Sequence, residues 1–423
     1  MTPARPEDEG PERLSGAQVY MFAVLALVYA CHLVDRTIIL VLLEPIKHEF
    51  SLNDTQLGLL SGFIFALGTL VAALPLGSLA DRRSRKALLA LCIAVWSGMT
   101  MLGGLATSFV SLLLLRFGVG AAESGLQPTA LAMVGDASTP RQRAKAVAIV
   151  HVGIPVGTLI GFVVGGWAAQ HLGWRHALLL VGGPGLLLAA LVALTVREPQ
   201  RDESAAGTAP SLRGFFAELW RSKPLLHVVL GLVLLWLCTS STSAWLAPFL
   251  VRMHGLSLPI VGLIMAGCAG LGGFVGNLLS GTVIQRFASG RDDRLALAAA
   301  CGALTYFPLS LVTFLSPSVP LAVATLFTSS LVYFLVYTPG YSLALDLAGA
   351  RTRARTAAVI SMGATAIGYG LGPQIVGILS DAFEPAFGIQ SLRYAILVIL
   401  LVMLWSAAHF ATAYRHLRDH APR

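Results

Sequence analysis

Four ionisable residues stand inside apolar stretches of this sequence: Asp35 and Arg36 in one, Arg116 and Glu123 in another. An ionised side chain at the centre of a bilayer costs on the order of 2.5–3.5 kcal/mol even on lenient insertion scales. Such residues pair with one another or line a water-filled path, and they mark ion relays and substrate sites. Arg116 and Glu123 are two helical turns apart, on one face but about 10 Å from each other along the axis, too far to pair directly. Each needs another partner. Asp35 and Arg36 diverge by about 100° on a helix, so at most one of them faces a cavity squarely. Asp35 is expected there, near Arg116. On this reading Asp35 and Glu123 carry protons, Arg116 holds an anion and Arg36 contributes to the same site. A static ion network that only joins helices is the alternative; buried pairs are poor stabilisers, which favours a functional role. His32, one turn before the pair, and His151, in a later span, either titrate near neutral pH or serve as hydrogen-bonded core residues.

The elements that carry these groups follow from composition. The 423-residue chain is 56% hydrophobic and only 12% charged, with a mean hydropathy of +0.76, whereas soluble proteins carry roughly 25% charged residues. Apolar runs of spanning length, about 20 residues, fall at 20–45, 56–80, 87–107, 109–134, 144–167, 174–196, 225–250, 258–284, 295–316, 320–345, 356–380 and 392–414. The expected fold is an all-α membrane protein of twelve transmembrane helices.

The net charge of +8 is placed for topology and not for nucleic acid. Alternate loops carry Arg82, Arg83, Arg85 and Lys86, then Arg141, Arg143 and Lys145, then Arg351, Arg353 and Arg355, while the opposite side has only Lys47, Arg175, Arg252 and Arg393. By the positive-inside rule both termini are cytoplasmic, and the basic loops meet lipid headgroups. Residues 1–18, with Glu7, Asp8, Glu9 and Glu12, read as a disordered cytoplasmic tail and not as a signal peptide. All five cysteines fall in apolar spans with no metal or disulfide spacing.

The chain repeats. Arg141 to Gly153 aligns with Arg351 to Gly363, and Gly68, Gly77 and Arg82 echo in Gly272, Gly281 and Arg286. Two six-helix bundles are therefore expected, 19–196 and 224–414, with a cytoplasmic linker at 197–223, a tail at 415–423, and substrate near the midplane between the bundles. Glycines 153, 157, 161 and 165 form a smooth stripe, read either as a sliding interface between halves or as tight packing, and Pro155 is expected to bend its helix. The second half has no ion at mid-depth. It offers Trp236, Asn277, Tyr337 and Tyr369, among other aromatic and small polar residues, as a wall opposite Arg116. No metal-binding His pair, nucleophile elbow or phosphate loop is present, so neither an enzyme, a cofactor nor direct ATP drive is expected.

Gly77-Ser-Leu-Ala-Asp81-Arg82-Arg83-Ser84-Arg85-Lys86 resembles the cytoplasmic loop motif of the major facilitator superfamily, and Arg116-Phe-Gly-Val-Gly120 and the Gly/Pro run from Gly153 resemble its embedded arginine and fifth-helix motifs. The resemblance implies conformational gating by Gly77, Asp81, Arg82, Arg85, Lys86, Gly153, Pro155 and Gly157, with Asp81 at a neighbouring helix start, where a carboxylate is favoured. Ser84 and Gln285 depart from the motif. Val34-Asp35-Arg36, Gly120-Ala-Ala-Glu123-Ser124 and Ile154-Pro155-Val156-Gly157 resemble Spinster-type transporters. That family implies a monomeric inner-membrane transporter whose partners are protons, membrane lipids and an amphipathic anionic lipid such as a lysophospholipid or sphingosine phosphate. Organic-anion symporters share the Asp-Arg and Arg…Glu pairs, which keeps a small organic acid as the alternative substrate.

Overall fold

The computed structural model describes residues 14–200, 219–288 and 290–419, apart from the side chains of 283, 350 and 351. Most of the expected N-terminal tail (1–13), most of the linker (201–218) and the last residues of the C-terminal tail (420–423) lie outside the described residues. The described residues form helices and turns only. In chain order these are α1 (Gly16–Phe50), α2 (Asp54–Arg82), α3 (Arg85–Gly103), α4 (Phe109–Ala137), α5 (Arg143–His171) and α6 (Trp174–Thr195). After the linker come α7 (Lys223–His254), α8 (Leu258–Ala288), α9 (Asp292–Leu315) and α10 (Val319–Gly349). The last apolar run, Thr352–Asp419, would extend about 100 Å as one helix, three times the hydrocarbon core. Gly388, at φ 52°, turns the chain and divides it into α11 (352–387) and α12 (Ser391–Asp419). The expected twelve spans are all present.

Polar residues punctuate the helices. Ser15 caps α1 in a capping box with Gln18, so α1 starts inside the stretch expected to be a disordered tail. Asn53 caps α2 in a box with Gln56, Ser108 caps α4, and Ser51 takes the left-handed conformation that ends α1. Pro155 lacks an amide hydrogen, and the regular hydrogen-bond ladder of α5 is interrupted just before it, at Val152, whose backbone stays in the helical region. π-helical segments interrupt α2 (Leu59–Phe63), α8 (Ala266–Gly272 and Ile284–Ala288) and α11 (Ala364–Leu371); such segments widen a helix turn and recur at functional sites.

The internal repeat is visible in the packing. In the first half α1 lies on α5, α2 on α4 and α3 on α6; in the second, α7 lies on α11, α8 on α10 and α9 on α12. The two six-helix bundles share one hydrophobic core at the face that carries the 51–53 turn, where Ile38, Leu42 and Ile46 pack in the same cluster as Trp245, Phe249 and Val376. The opposite end of the first half has a separate core around Phe22, Leu25, Leu89, Trp96 and Met133. The halves are thus fused at one face.

The glycine stripe lies elsewhere than between the halves. A Cβ on Gly153 would meet the Ala26 carbonyl oxygen at 2.0 Å, one on Gly157 that of Ala30 at 2.2 Å, and one on Gly161 the Thr37 hydroxyl at 2.1 Å. All three neighbours belong to α1. The stripe seats α5 on α1 inside the first half, because the offset that aligns the glycines also aims them at the adjacent span. Close approach between the halves falls to other glycines: Gly166 of α5 against Leu258 and Gly262 of α8, and Gly62 of α2, whose Cβ would stand 2.0 Å from the Tyr369 carbonyl oxygen of α11.

Candidate functional site

The four intramembrane ions divide into two groups. Asp35 of α1 is completely buried and faces Trp96 and Thr100 of α3, with Arg116 and Glu123 of α4 in electrostatic range. Thr100 and Trp96 are the donors that face its carboxylate, short of full hydrogen-bond geometry. Glu123 is 5% exposed and Arg116 6%. His32 Nδ1 lies 2.9 Å from Glu123 Oε2, an ion-pair distance at angles unlike those of a hydrogen bond. The Arg116 guanidinium carbon stands 5.2 Å from the centre of the Phe65 ring. Asp35, Glu123, Arg116 and His32 therefore form one buried cluster within the first half.

Arg36 points the other way. Its guanidinium carbon lies 3.9 Å from the centre of the Tyr369 ring on α11 and 5.3 Å from that of Phe65, so it crosses from the first half to the second. The divergence of neighbouring helical residues holds, but its assignment is reversed: Arg36 faces the other half, and Asp35 turns into its own bundle. Tyr369 continues into an aromatic group, with ring centroids 5.2 Å from Trp236, which is itself 6.1 Å from Tyr333 and 5.8 Å from Tyr337.

That aromatic group is one wall of a partly open cavity of about 510 Å³ lined mostly by the second half, with Ile154 and Thr158 of α5 contributing from the first. Trp236, Tyr337 and Tyr369 line it, together with Tyr333, Tyr306 and a series of Ser and Thr residues. Arg116 is not among its lining residues, and none of those residues is charged. Asn277 is exposed on α8 outside the lining. His151 packs edge-on against Tyr29, with centroids 5.3 Å apart.

At the fused face a polar clamp joins the halves. Arg252 of α7 donates to Glu44 of α1 at 2.6 and 2.8 Å and to Asp54 of α2 at 2.7 and 2.9 Å. Lys47 reaches Asp54 at 2.5 Å, and Ser380 donates to it at 2.7 Å. Asp381 accepts from the Asp54 and Thr55 amides at 2.9 and 2.7 Å, a carboxylate at a helix N-terminus where the dipole favours it. The sequence reading took Lys47 and Arg252 as topology markers and missed the clamp. Its only advance signal was the presence of both signs of charge at span ends on one side.

At the opposite face, a carboxylate, that of Glu198, sits at the α3 start. It accepts from the Ser84 hydroxyl at 2.5 Å and from the Arg85 and Lys86 amides at 2.7 and 3.0 Å. Arg85 also pairs with Asp136 of α4. Asp81 and Arg82 are exposed, and Gly77 has open space around it. The loop motif bends the chain so that α3 starts with two basic residues, and the nearest acid able to reach those amides comes from the end of the first bundle.

Twelve helices in two repeated bundles, fused at one face, with buried ions and a cavity, are the architecture of a membrane transporter. Residues 25–373 match the Major Facilitator Superfamily, and the chain belongs to that family: it is an integral membrane transporter and not an enzyme. It is 32% identical, over 97% of its length and 95% of the relative's, to a protein of Mycolicibacterium smegmatis described as an MFS-type efflux pump. It is 30% identical over 267 residues to human protein spinster homolog 1, spanning half of that protein. The solved structure of a bacterial homolog to the human lysosomal transporter Spinster, in an inward-facing and unoccupied conformation, superposes with a TM-score of 0.85 at 27% identity, covering 97% of this chain and all of that one. The Spinster resemblance read from the motifs is supported.

Proposed function

We propose that this protein is a proton-coupled, alternating-access transporter of an amphipathic anionic lipid, a lysophospholipid or a sphingosine phosphate. One observation carries the reading: the Arg36 guanidinium, lying on the Tyr369 ring, sets a first-half cation at the edge of an uncharged second-half cavity. An anionic headgroup displaces Arg36 from the ring and pairs with it, while the rest of the molecule enters the cavity. A small dianionic acid gripped from both halves would find no cation among the cavity's lining residues. Asp35 and Glu123 carry the proton, with His32 passing it to Glu123. Asp35 and Arg36 are neighbours on α1, so any movement of that stretch that frees Arg36 also shifts Asp35, which couples the two events.

The basic loops support cytoplasmic termini in a bacterial inner membrane. On that topology the clamped face is periplasmic, and the fused core there supports an inward-facing state. The test is binding across lysolipids of one headgroup and increasing chain length. Affinity is expected to rise by roughly 0.8 kcal/mol per buried methylene until the cavity is filled. A flat series together with tight binding of a short organic acid would favour the small-acid reading.

A further inference from the structure

We propose that the proton reaches the Asp35–Glu123 cluster from the face opposite the clamp by way of His151 and Tyr29, neither of which lines the second-half cavity. The inference rests on the reading of Asp35 and Glu123 as the proton carriers. Its first support is a polar series along α1. Tyr29, His32 and Asp35 follow one another at intervals of three residues, so successive side chains are neighbours on the helix. His32 Nδ1 already stands 2.9 Å from Glu123 Oε2. Tyr29 lies about 9 Å from Asp35 along the axis, toward the end where Gln18 of α1 donates to Gln142, just before α5, at 3.1 Å. Tyr29 is 6% exposed within the core that holds Phe22, Leu25 and Met133, and its hydroxyl has no hydrogen-bond partner among the described residues. A lone hydroxyl in an apolar core costs free energy that a phenylalanine there would avoid. Ordered water is the usual partner of such a group.

The second support is His151. Its ring stands edge-on to that of Tyr29, with centroids 5.3 Å apart, and the residue is half-buried. His171 and His176 each engage the carbonyl one turn earlier through Nδ1, at 2.9 and 2.8 Å, as a helix histidine with a structural role does. His151 has the Tyr29 ring and no hydrogen-bond partner among the described residues, so both its nitrogens are open to exchange, and an imidazole exchanges its proton near neutral pH. Residues 143–151 pack on α1 and on the later part of α4. The titratable group facing His151 from α1 is Tyr29; the later part of α4 carries Asp136, which Arg85 holds, and Lys145 lies six positions earlier on α5. In loading, His151 takes a proton from water on one ring nitrogen and gives the other nitrogen's proton to water held at the Tyr29 hydroxyl. The hydroxyl accepts one hydrogen as it passes its own on, His32 does the same between its two nitrogens, and Glu123 is left as the neutral acid. The relay groups end with the charge they began with.

The test follows the carboxylates themselves. The full chain in lipid nanodiscs receives a proton jump from a photolysed caged acid, and time-resolved infrared absorption reads the rise of the carboxylic acid C=O band. The part of that band lost in Asp35→Asn and Glu123→Gln belongs to the cluster. His151→Phe is expected to slow its rise about a hundredfold, the low end of what a positioned proton-transfer group contributes. Free imidazole in the bath is expected to restore much of the rate, because it replaces the missing ring. His151→Gln gives the same reading should the first variant not fold. Tyr29→Phe keeps the ring against His151 and is expected to slow the rise to a similar extent. An unchanged rate in the His151 variants overturns the route, as does slowing that imidazole does not restore, since that marks a packing role. An unchanged rate in Tyr29→Phe overturns the Tyr29 link. A band that neither carboxylate substitution alters refutes the carriers and the route together; a band they do alter, rising at the same rate without His151, refutes the route alone.

Discussion

The two halves repeat the same three helix pairings and yet divide the chemistry between them. The first buries a carboxylate cluster, Asp35 and Glu123 with Arg116 and His32, and holds it away from the cavity. The second supplies most of the cavity's lining, which carries no charge. Arg36 is the contact between the two, reaching from α1 to the Tyr369 ring. The division has a physical advantage. A fixed charge beside a lipid tail would cost desolvation free energy each time the tail entered, and a tail beside the carboxylates would cut off their route to water. On the proposed lipid reading, separating the charge cluster from the cavity avoids both costs and leaves Arg36 as the cation between them.

The comparison breaks most directly at Arg36. Arg36→Ala is expected to lower the initial rate of lysolipid uptake into proteoliposomes about 100-fold, within the 2–5 kcal/mol that removing one partner of a desolvated charge contact costs. Arg36→Lys should recover little, because a point ammonium does not reproduce a planar group stacked on a ring. Near-normal uptake in the alanine variant would separate the halves functionally and return the anchor to Arg116.

The clamp tests whether the halves move as units. Arg252→Ala leaves Glu44 and Asp54 without their shared cation, and the loss of at least about 2 kcal/mol shifts the balance toward opening at this face about 30-fold. Spin labels on His48→Cys and Ser318→Cys, one in each half on this face, with exposed Cys301 replaced, should show a longer distance population in the variant. An unchanged distance distribution would mean that the shared apolar core alone holds the face shut.

A smaller effect is expected at Asp35. A proton moved with one charge cycle supports up to about tenfold accumulation per pH unit, and Asp35→Asn, which keeps the shape but cannot exchange a proton, should flatten that dependence while exchange without a gradient persists. A pH profile identical to that of the unmodified protein would move the coupling to Glu123.

Much of this organisation is legible in the sequence because a bilayer leaves few choices. Span length fixes the helices, buried charges stand out against apolar runs, and loop motifs recur in each half. What is not legible is direction around a helix axis. Asp35 and Arg36 differ by one position, and only packing decides which turns inward. The glycines at 153, 157 and 161 specify a close neighbour without naming α1. Phe65, whose ring lies 5.3 and 5.2 Å from the two guanidinium carbons, is one apolar residue among many in α2. The clamp joins residues about two hundred positions apart, which no local spacing encodes, and whether a histidine nitrogen is spent on its own helix depends on a rotamer.

The smallest expected effect concerns how each half starts its third helix. The second half begins α9 with its own acids, Asp292 and Asp293, the latter paired with Arg291 at 2.8 Å. The first half begins α3 with Arg85 and Lys86, the wrong sign for a helix N-terminus, and takes a carboxylate from Glu198 beyond the end of α6. The same electrostatic need is met locally in one half and across the bundle in the other. Glu198→Ala should cost about 1 kcal/mol, the usual loss of an N-terminal cap, read as a lower thermal midpoint in detergent, with lysolipid transport kept within about twofold. Glu198→Gln, which retains an acceptor but not the charge, should recover part of that stability. If Glu198→Ala instead suppresses transport while the midpoint is unchanged, the linker carboxylate is part of the gate, and the loop motif of the first half acts through the end of α6 as well as through Asp81.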